Sequence, residues 1–150
     1  MFPVFVLLLF GLIDMGRGIY AYNTISQAAR EGARLAAVQA SWIGSPDPSC
    51  GTSGGPVCPA DTNALKANVT AAVNRMAVGL VQIQASQVSL SCDPLGSAPT
   101  GNWTGTSCAN TGTGNVVTVR VTYTYGMLTP IVSQIIDNLP LTASTTMVIN

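Results

Sequence analysis

The stretch MFPVFVLLLFGLIDMGRGIYAYNTISQAAREGARLAAVQASWI, residues 1–43, decides how the rest of the chain must be arranged. From Met1 to Ile13 it is apolar except for Pro3 and Gly11, and a proline that early is tolerated because first-turn amides have no partner within a helix. A helix needs about twenty residues to cross the hydrocarbon core of a bilayer, so this tip is too short to do so alone. The helical pattern does not stop there. It runs on through Asp14 and Arg17 to Ile43, which makes the apolar tip one end of a longer rod. No basic residue precedes the apolar run, and Asp-Met-Gly-Arg stands where a small-residue cleavage site would be needed, so a cleaved secretory signal peptide is not expected.

From Gln27 onward the rod changes character. Ala28, Gly32, Ala36 and Ala40 fall four apart, and Ala29, Ala33 and Ala37 repeat the spacing. Small residues in such ladders let helix backbones approach closely, and two ladders predict close contact on more than one face. A further stripe, Ile19, Tyr22, Ile25, Ala29, Ala36 and Ile43, suits the seating of a folded head on one side.

Residues 44–150 are expected to form that head. Gly44-Ser-Pro-Asp-Pro48 breaks the helical pattern. Asp61 or Thr62 then caps a second helix with Leu65, Val69, Val73, Met76 and Leu80 inward and Gly79 at its stop. The period next becomes two. Val81, Ile83 and Ala85 alternate with polar neighbours, and Val88 and Leu90 resume in the opposite phase, predicting a break near Ser86. Val117, Val119, Val121, Tyr123 and Tyr125 point one way, with Thr118, Arg120, Thr122 and Thr124 the other, as in a half-buried antiparallel strand. Thr129-Pro130 opens a short helix or compact apolar excursion through Ile131, Val132, Ile135, Ile136 and Leu139, and Leu141 to Ile149 alternates again. The fold class is therefore α+β: a long N-terminal helix packed against a small head with a second helix and a three-stranded, mainly antiparallel sheet. Both the C-terminal half of the first helix and the helix from Thr62 are available as covers.

Charged residues make up 8% of the chain, six basic and six acidic, against about a quarter in a typical soluble domain. With no basic cluster, the electrostatic footprint of a nucleic-acid partner is missing. The four cysteines, Cys50, Cys58, Cys92 and Cys108, lie in or beside polar loops, and there is no histidine. Their spacing does not fit zinc knuckles. Disulfides in an oxidising compartment are the better reading, and of three possible pairings the local ones, Cys50 with Cys58 and Cys92 with Cys108, are expected.

The chemistry of catalysis is missing. Nucleophilic hydrolysis needs a positioned base, usually histidine. The six carboxylates are scattered, and Gly51-Thr-Ser-Gly-Gly55 and Thr111-Gly-Thr-Gly114 lack the lysine and strand-to-helix setting of a phosphate loop. No enzyme, cofactor or metal site is expected. Asn68-Val-Thr and Asn102-Trp-Thr match the glycosylation acceptor pattern, the first inside an expected helix. Trp103 is either an exposed contact for a ligand or packed against a neighbouring disulfide; packing is favoured, since tryptophan is usually largely buried.

The run Phe5-Val-Leu-Leu-Leu-Phe-Gly-Leu-Ile-Asp14-Met-Gly-Arg17, followed by Tyr20-Ala-Tyr-Asn-Thr and then Ala28-Ala-Arg30-Glu31-Gly32-Ala-Arg34, resembles the TadE-like family of tight-adherence pilus systems. These are pilins or pseudopilins related to type IV pilins. The resemblance implies a lollipop-shaped bacterial cell-surface protein, inserted by its helix in the inner membrane, processed by a prepilin peptidase and handled by the pilus assembly machinery. It implies self-association into a helical homopolymer, an extracellular filament with Phe2, Phe5, Leu8, Leu9, Phe10 and Leu12 in its core. Asp14, Arg17, Ala28, Gly32 and Ala36 are candidates for further assembly contacts. The alternatives are a membrane-held minor pseudopilin that primes or regulates assembly, and a surface adhesin using the disulfide loops around Trp103. Family members usually carry a cleavage-site glycine and then a glutamate near the mature N-terminus, and neither precedes Phe5 here. Asp14 and Arg17 are candidates for that acid's docking role, with pairing to each other, which i,i+3 geometry permits, as the competing reading. Arg30, Glu31 and Arg34 read as a solvated or head-facing strip ahead of bridges between subunits.

Overall fold

The computed structural model describes residues 2–43, 58–77, 79, 81–96, 108, 114–127 and 138–149. The first helix, α1 (Phe2–Ala40), is continuous. Its ladder of i→i−4 bonds ends at Ala40, and the chain winds on through the tighter turns Trp42 N–H to Gln39 O (3.2 Å) and Ile43 N–H to Ala40 O (3.3 Å). Such tightening satisfies carbonyls that the helix end would leave orphaned. The helix proper thus stops at Ala40, three residues before the expected Ile43, and residues 41–43 are in turns.

The second helix, α2 (Thr62–Met76), is capped by Asp61, whose Oδ1 accepts from Ala64 N–H at 2.7 Å. Leu65, Val69, Ala72 and Val73 form its buried stripe. Met76, expected inside, is 51% exposed. It lies on the same stripe but in the last turn, where α2 opens onto a groove shared with Gln27, Arg30, Glu31 and Arg34 of α1. Ala77 closes the helix by donating to Val73 O, and Gly79 takes a positive φ of 104° just beyond. Leu80 and, of the apolar excursion expected from Thr129 through Leu139, the residues up to Asp137 lie outside the described residues; Leu139 is instead in a strand, paired with Tyr125.

Three strands follow: β1 (Val88–Asp93), β2 (Val116–Tyr125) and β3 (Leu139–Val148), antiparallel in the order β1-β2-β3. Val119 lies opposite Leu90 on one side and Thr145 on the other. The break near Ser86 is a 3-10 turn, Ala85–Gln87, stapled by Gln84 N–H to Gln87 Oε1 at 2.8 Å. Before it, Val81 and Ile83 bury their side chains while Gln82 and Gln84 face outward, so the alternation there is real but precedes the ladder. On β2, Val117, Val119 and Val121 are fully buried, Tyr125 is buried and Tyr123 half-buried, as the period predicts. Thr118 departs from it. Although on the opposite face it is buried, with its hydroxyl 2.9 Å from that of Thr146, which satisfies a polar group that burial would otherwise penalise.

The covering layer differs from the expected pair of helices. α1 lies across β2 and β3, whereas α2 packs antiparallel on α1 and meets the sheet chiefly at β1. Where the three elements converge sits Gly32. A Cβ there would stand 2.9 Å from Val73 Cγ2, 3.3 Å from Val69 Cγ1 and 3.4 Å from Val119 Cγ1. Ala28, Ala29, Ala33 and Ala36 around it have no exposed surface. The two small-residue ladders do serve close approach on more than one face, but their partners are α2 and the sheet of the same chain. Near the far end, half-buried Asn68 donates to Gln39 Oε1 at 3.0 Å, so this asparagine of the first acceptor triplet is engaged in the α1–α2 contact.

Cys92 on β1 is bonded to Cys108, and Cys108 N–H donates to Thr62 Oγ1 at 3.0 Å. The bridge therefore ties the sheet edge to the first residue of α2. Cys58 is also disulfide-bonded; Cys50 lies outside the described residues.

Two outcomes test this packing. Gly32→Val adds a Cβ and two methyls where Val69, Val73 and Val119 already meet, and overpacking of that kind costs about 1–3 kcal/mol. A urea midpoint unchanged from the parent would show that the crossing is loose. Replacing Cys92 and Cys108 together by Ser opens a loop with a sequence separation of 16, for which roughly 3 kcal/mol of stability is expected to go. Urea unfolding of the double variant measures it, and an unaltered midpoint counts against the staple.

Candidate functional site

Towards the N-terminus α1 runs beyond the head, and its apolar side chains from Val4 to Ile13 stand largely in the open. Exposure runs from 42% at Phe10 to 68% at Val4, Leu8 and Leu12, with Phe5 at 66% and Leu7, Leu9 and Ile13 between 44% and 46%. These residues face every direction around the helix. Burying a large apolar side chain is worth about 1.5–3 kcal/mol, so leaving this many in water forfeits an energy comparable to the ~5–15 kcal/mol that stabilises a whole domain. The stalk is built to be covered.

Between stalk and head lies a neck made by three side chains. Arg17 Nη1 stands 3.8 Å from Asp14 Oδ1, so the two charges pair along the helix, one of the two roles their spacing allows. The Arg17 guanidinium carbon is 5.8 Å from the ring centroid of Tyr125 at the end of β2, within cation–π range. The Tyr125 hydroxyl donates to Asp14 O at 3.0 Å. Arg17 Nη1 is buried and has no hydrogen-bond partner among the described residues, the weak spot of the arrangement. The phenol pKa lies above its ordinary 10.0: burial raises it, Arg17 opposes, and Asp14 and Tyr123 add to the rise. Tyr125 was legible only as the last inward residue of an alternating strand. Its one further signal is the hydroxyl, which needs a partner when buried.

Beside the neck, Gly11, Asp14, Met15 and Gly18 of the helix and Tyr125, Met127 and Leu139 of the sheet line a groove of about 280 Å³. At Gly11 and Gly18 an added Cβ would meet nothing within 4 Å, so this side of the helix is open. A larger depression of about 530 Å³ between α1 and β3 is lined by Tyr22, Ser26, Arg30 and Thr142 to Thr146. Arg30 is its one charged group, which is no set for acid–base or nucleophilic chemistry. Arg30 and Arg34 are exposed and Glu31 half-buried, as for a solvated strip.

Of the residues expected at assembly contacts, Phe5, Leu8, Leu9, Phe10 and Leu12 are together on the bare stalk, and Asp14 and Arg17 at its neck. Phe2 begins the helix. Ala28, Gly32 and Ala36 are inside the head and have no surface left for a second copy. Their spacing signals close approach without saying to what. Trp103 lies outside the described residues.

The model of one protein family, TadE-like protein, matches residues 1–34. The match takes in the stalk, Asp14 and Arg17 of the neck and the ladders as far as Arg34, and stops short of α2 and the sheet. No curated protein and no solved structure matches the chain. The TadE-like family is structural rather than enzymatic, and the match and the apolar stalk are consistent with a membrane-anchored or pilus-associated protein.

Tyr125→Phe removes the bond to Asp14 O and is expected to lower stability by about 1 kcal/mol. Because the folded-state pKa is raised, the contribution of the phenol is complete below pH 10.0, the unfolded value, and is lost as pH climbs through the folded value. Melting temperatures of parent and Tyr125→Phe should therefore differ at neutral pH and converge in alkali. A gap that stays constant across that range excludes the phenol as its source.

Proposed function

We propose that this chain is a structural pilin subunit of a bacterial extracellular filament, polymerising through its N-terminal helix. The observation that carries the reading is the bare apolar stalk, which bears the TadE-like match and projects from a disulfide-stapled head. Before assembly the stalk is held in the inner membrane, where lipid covers it. A prepilin peptidase and the pilus machinery are its partners in leaving that membrane. In the filament, stalks of neighbouring copies cover one another, and repetition of one heterologous contact builds an open helical polymer. The neutral, hydroxyl-rich head with its disulfides suits an outer sheath in an oxidising environment.

Shearing surface appendages from cells and imaging them tests the proposal. Filaments composed of this chain are expected, and Leu8→Asp, which puts a charge among the stalk side chains, should abolish them while the isolated head region keeps its Cys92–Cys108 bridge. Confinement of the chain to membranes, with no filament containing it, would replace this reading by that of a membrane-held minor pseudopilin.

A further inference from the structure

The outer margin of β3 is bare. This strand ends the order β1-β2-β3, and no described residue pairs with its far side. Which groups face outward follows from the ladder with β2. Thr146 and Thr118, directly opposite each other, bring their hydroxyls to 2.9 Å, the close approach of a pair that exchanges no backbone bonds. Ile149, of the other parity, donates its N–H to Asn115 O. Even-numbered residues of β3 therefore turn their N–H and C=O away from β2. Pro140 has that parity, and proline in a sheet sits on an edge strand with its nitrogen turned off the ladder. Thr142, Ser144 and Thr146 each leave a donor and an acceptor open.

Such an edge templates pairing with another strand, and proteins usually blunt it with charge, a bulge or a covering element. From Leu139 to Val148 there is no charge. The edge instead forms one side of the depression of about 530 Å³, whose other side is Tyr22, Ser26 and Arg30, four residues apart on one flank of α1. Arg30 stands towards the Thr146 end, since it also lies beside Met147, whereas Gly11 to Gly18 lie beside Leu139 at the other end. Arg30 is exposed, and Asp14 with Arg17 is the ion pair formed among the described residues.

We propose that this groove is a peptide-binding site, separate from the stalk, in which an extended acidic segment of another protein adds to β3 as a further antiparallel strand. Bonds to Thr142, Ser144 and Thr146 supply affinity whatever the sequence of the segment. The flank of α1 supplies the preference. Side chains opposite Thr145, Ala143 and Leu141 face α1; the first meets Arg30 and calls for a carboxylate, and the last lies towards the Tyr22 ring, which takes an apolar group. Antiparallel pairing is the more stable kind per residue, so the acid comes first in the segment. Charge decides the occupant. The β3 strand of a second copy carries no carboxylate between Leu139 and Val148 and offers Arg30 nothing.

The test titrates the full chain, in detergent micelles, into the fluorescein-tagged peptide acetyl-Thr-Glu-Thr-Ser-Thr-Val-Thr-amide and follows its anisotropy. Saturable binding is expected, weakened about tenfold by Arg30→Gln, the worth of one charge-assisted hydrogen bond. The same substitution should leave unchanged the affinity of a peptide with glutamine in place of its glutamate, which separates an ion pair from general damage. Ser144→Pro removes an outward N–H and should abolish binding. Should that variant fail to fold, N-methylating the threonine between the glutamate and the serine of the peptide removes the bond to Ser144 O and leaves the protein untouched. Binding that survives N-methylation, a peptide of reversed order that binds as well, or no saturable binding at all overturns the site. Dimerisation of the chain that Ser144→Pro abolishes and the peptide does not compete with assigns the edge to a second copy instead.

Discussion

The crossing at Gly32 sets the spacing of the whole head. α2 and β2 meet the same face of α1 there, and the 2.9–3.4 Å that a Cβ would leave to Val69, Val73 and Val119 fixes how near all three backbones lie. From that contact the rest follows. The alanines above and below Gly32 keep the buried face of α1 thin, so the valines of β2 and the stripe of α2 both reach it and α2 packs without reaching far over the sheet. An ordinary leucine-faced helix would stand the layers further apart. The burial that results lies almost wholly in one half of α1, and it is this imbalance that lets the other half project bare.

One helix thus serves two solvents. Its C-terminal half is stabilised by tertiary packing, the usual source of helical stability. Its N-terminal half has no such support and lacks an acid in the first turn to favour the helix dipole. On the proposed function, what stabilises the tip as helix is a medium in which unpaired backbone groups are costly, either lipid or the packed stalks of other copies. The neck is where the two regimes meet, and its polar groups are those needed there: a paired Asp14 and Arg17 and a phenol that bonds the helix backbone.

Periodicity made much of this legible. The stalk was readable from thirteen residues with no charge, the strands from Val117 to Tyr125 and from Leu141 to Ile149, and α2 from its stripe of Leu65, Val69 and Val73. The Cys92–Cys108 bridge was readable because both cysteines border the same polar loop. Other features depend on tertiary geometry that no local pattern encodes. Gly and Ala four apart announce close approach, but whether to a sister helix or to one's own sheet depends on where α2 and β2 return. Met76 keeps the right spacing for burial and is exposed because the opposing surface runs out. The pairing of Tyr125 with Asp14 joins residues 111 positions apart, and only the antiparallel run of β2 along α1 brings them together.

The neck also has a mechanical consequence. A head joined to its rod by a flexible linker swivels freely, and whatever happens at the far end of the rod is lost in the joint. Here no linker intervenes: α1 is both rod and core layer, and the Tyr125 hydroxyl on Asp14 O adds a second attachment near the rod's exit. Torque applied to Phe5 or Leu8 reaches the sheet through the helix itself, with no linker to absorb it. The compass bearing of the outermost strand is then dictated by how the tip is gripped, which makes the stalk a spindle as much as an anchor.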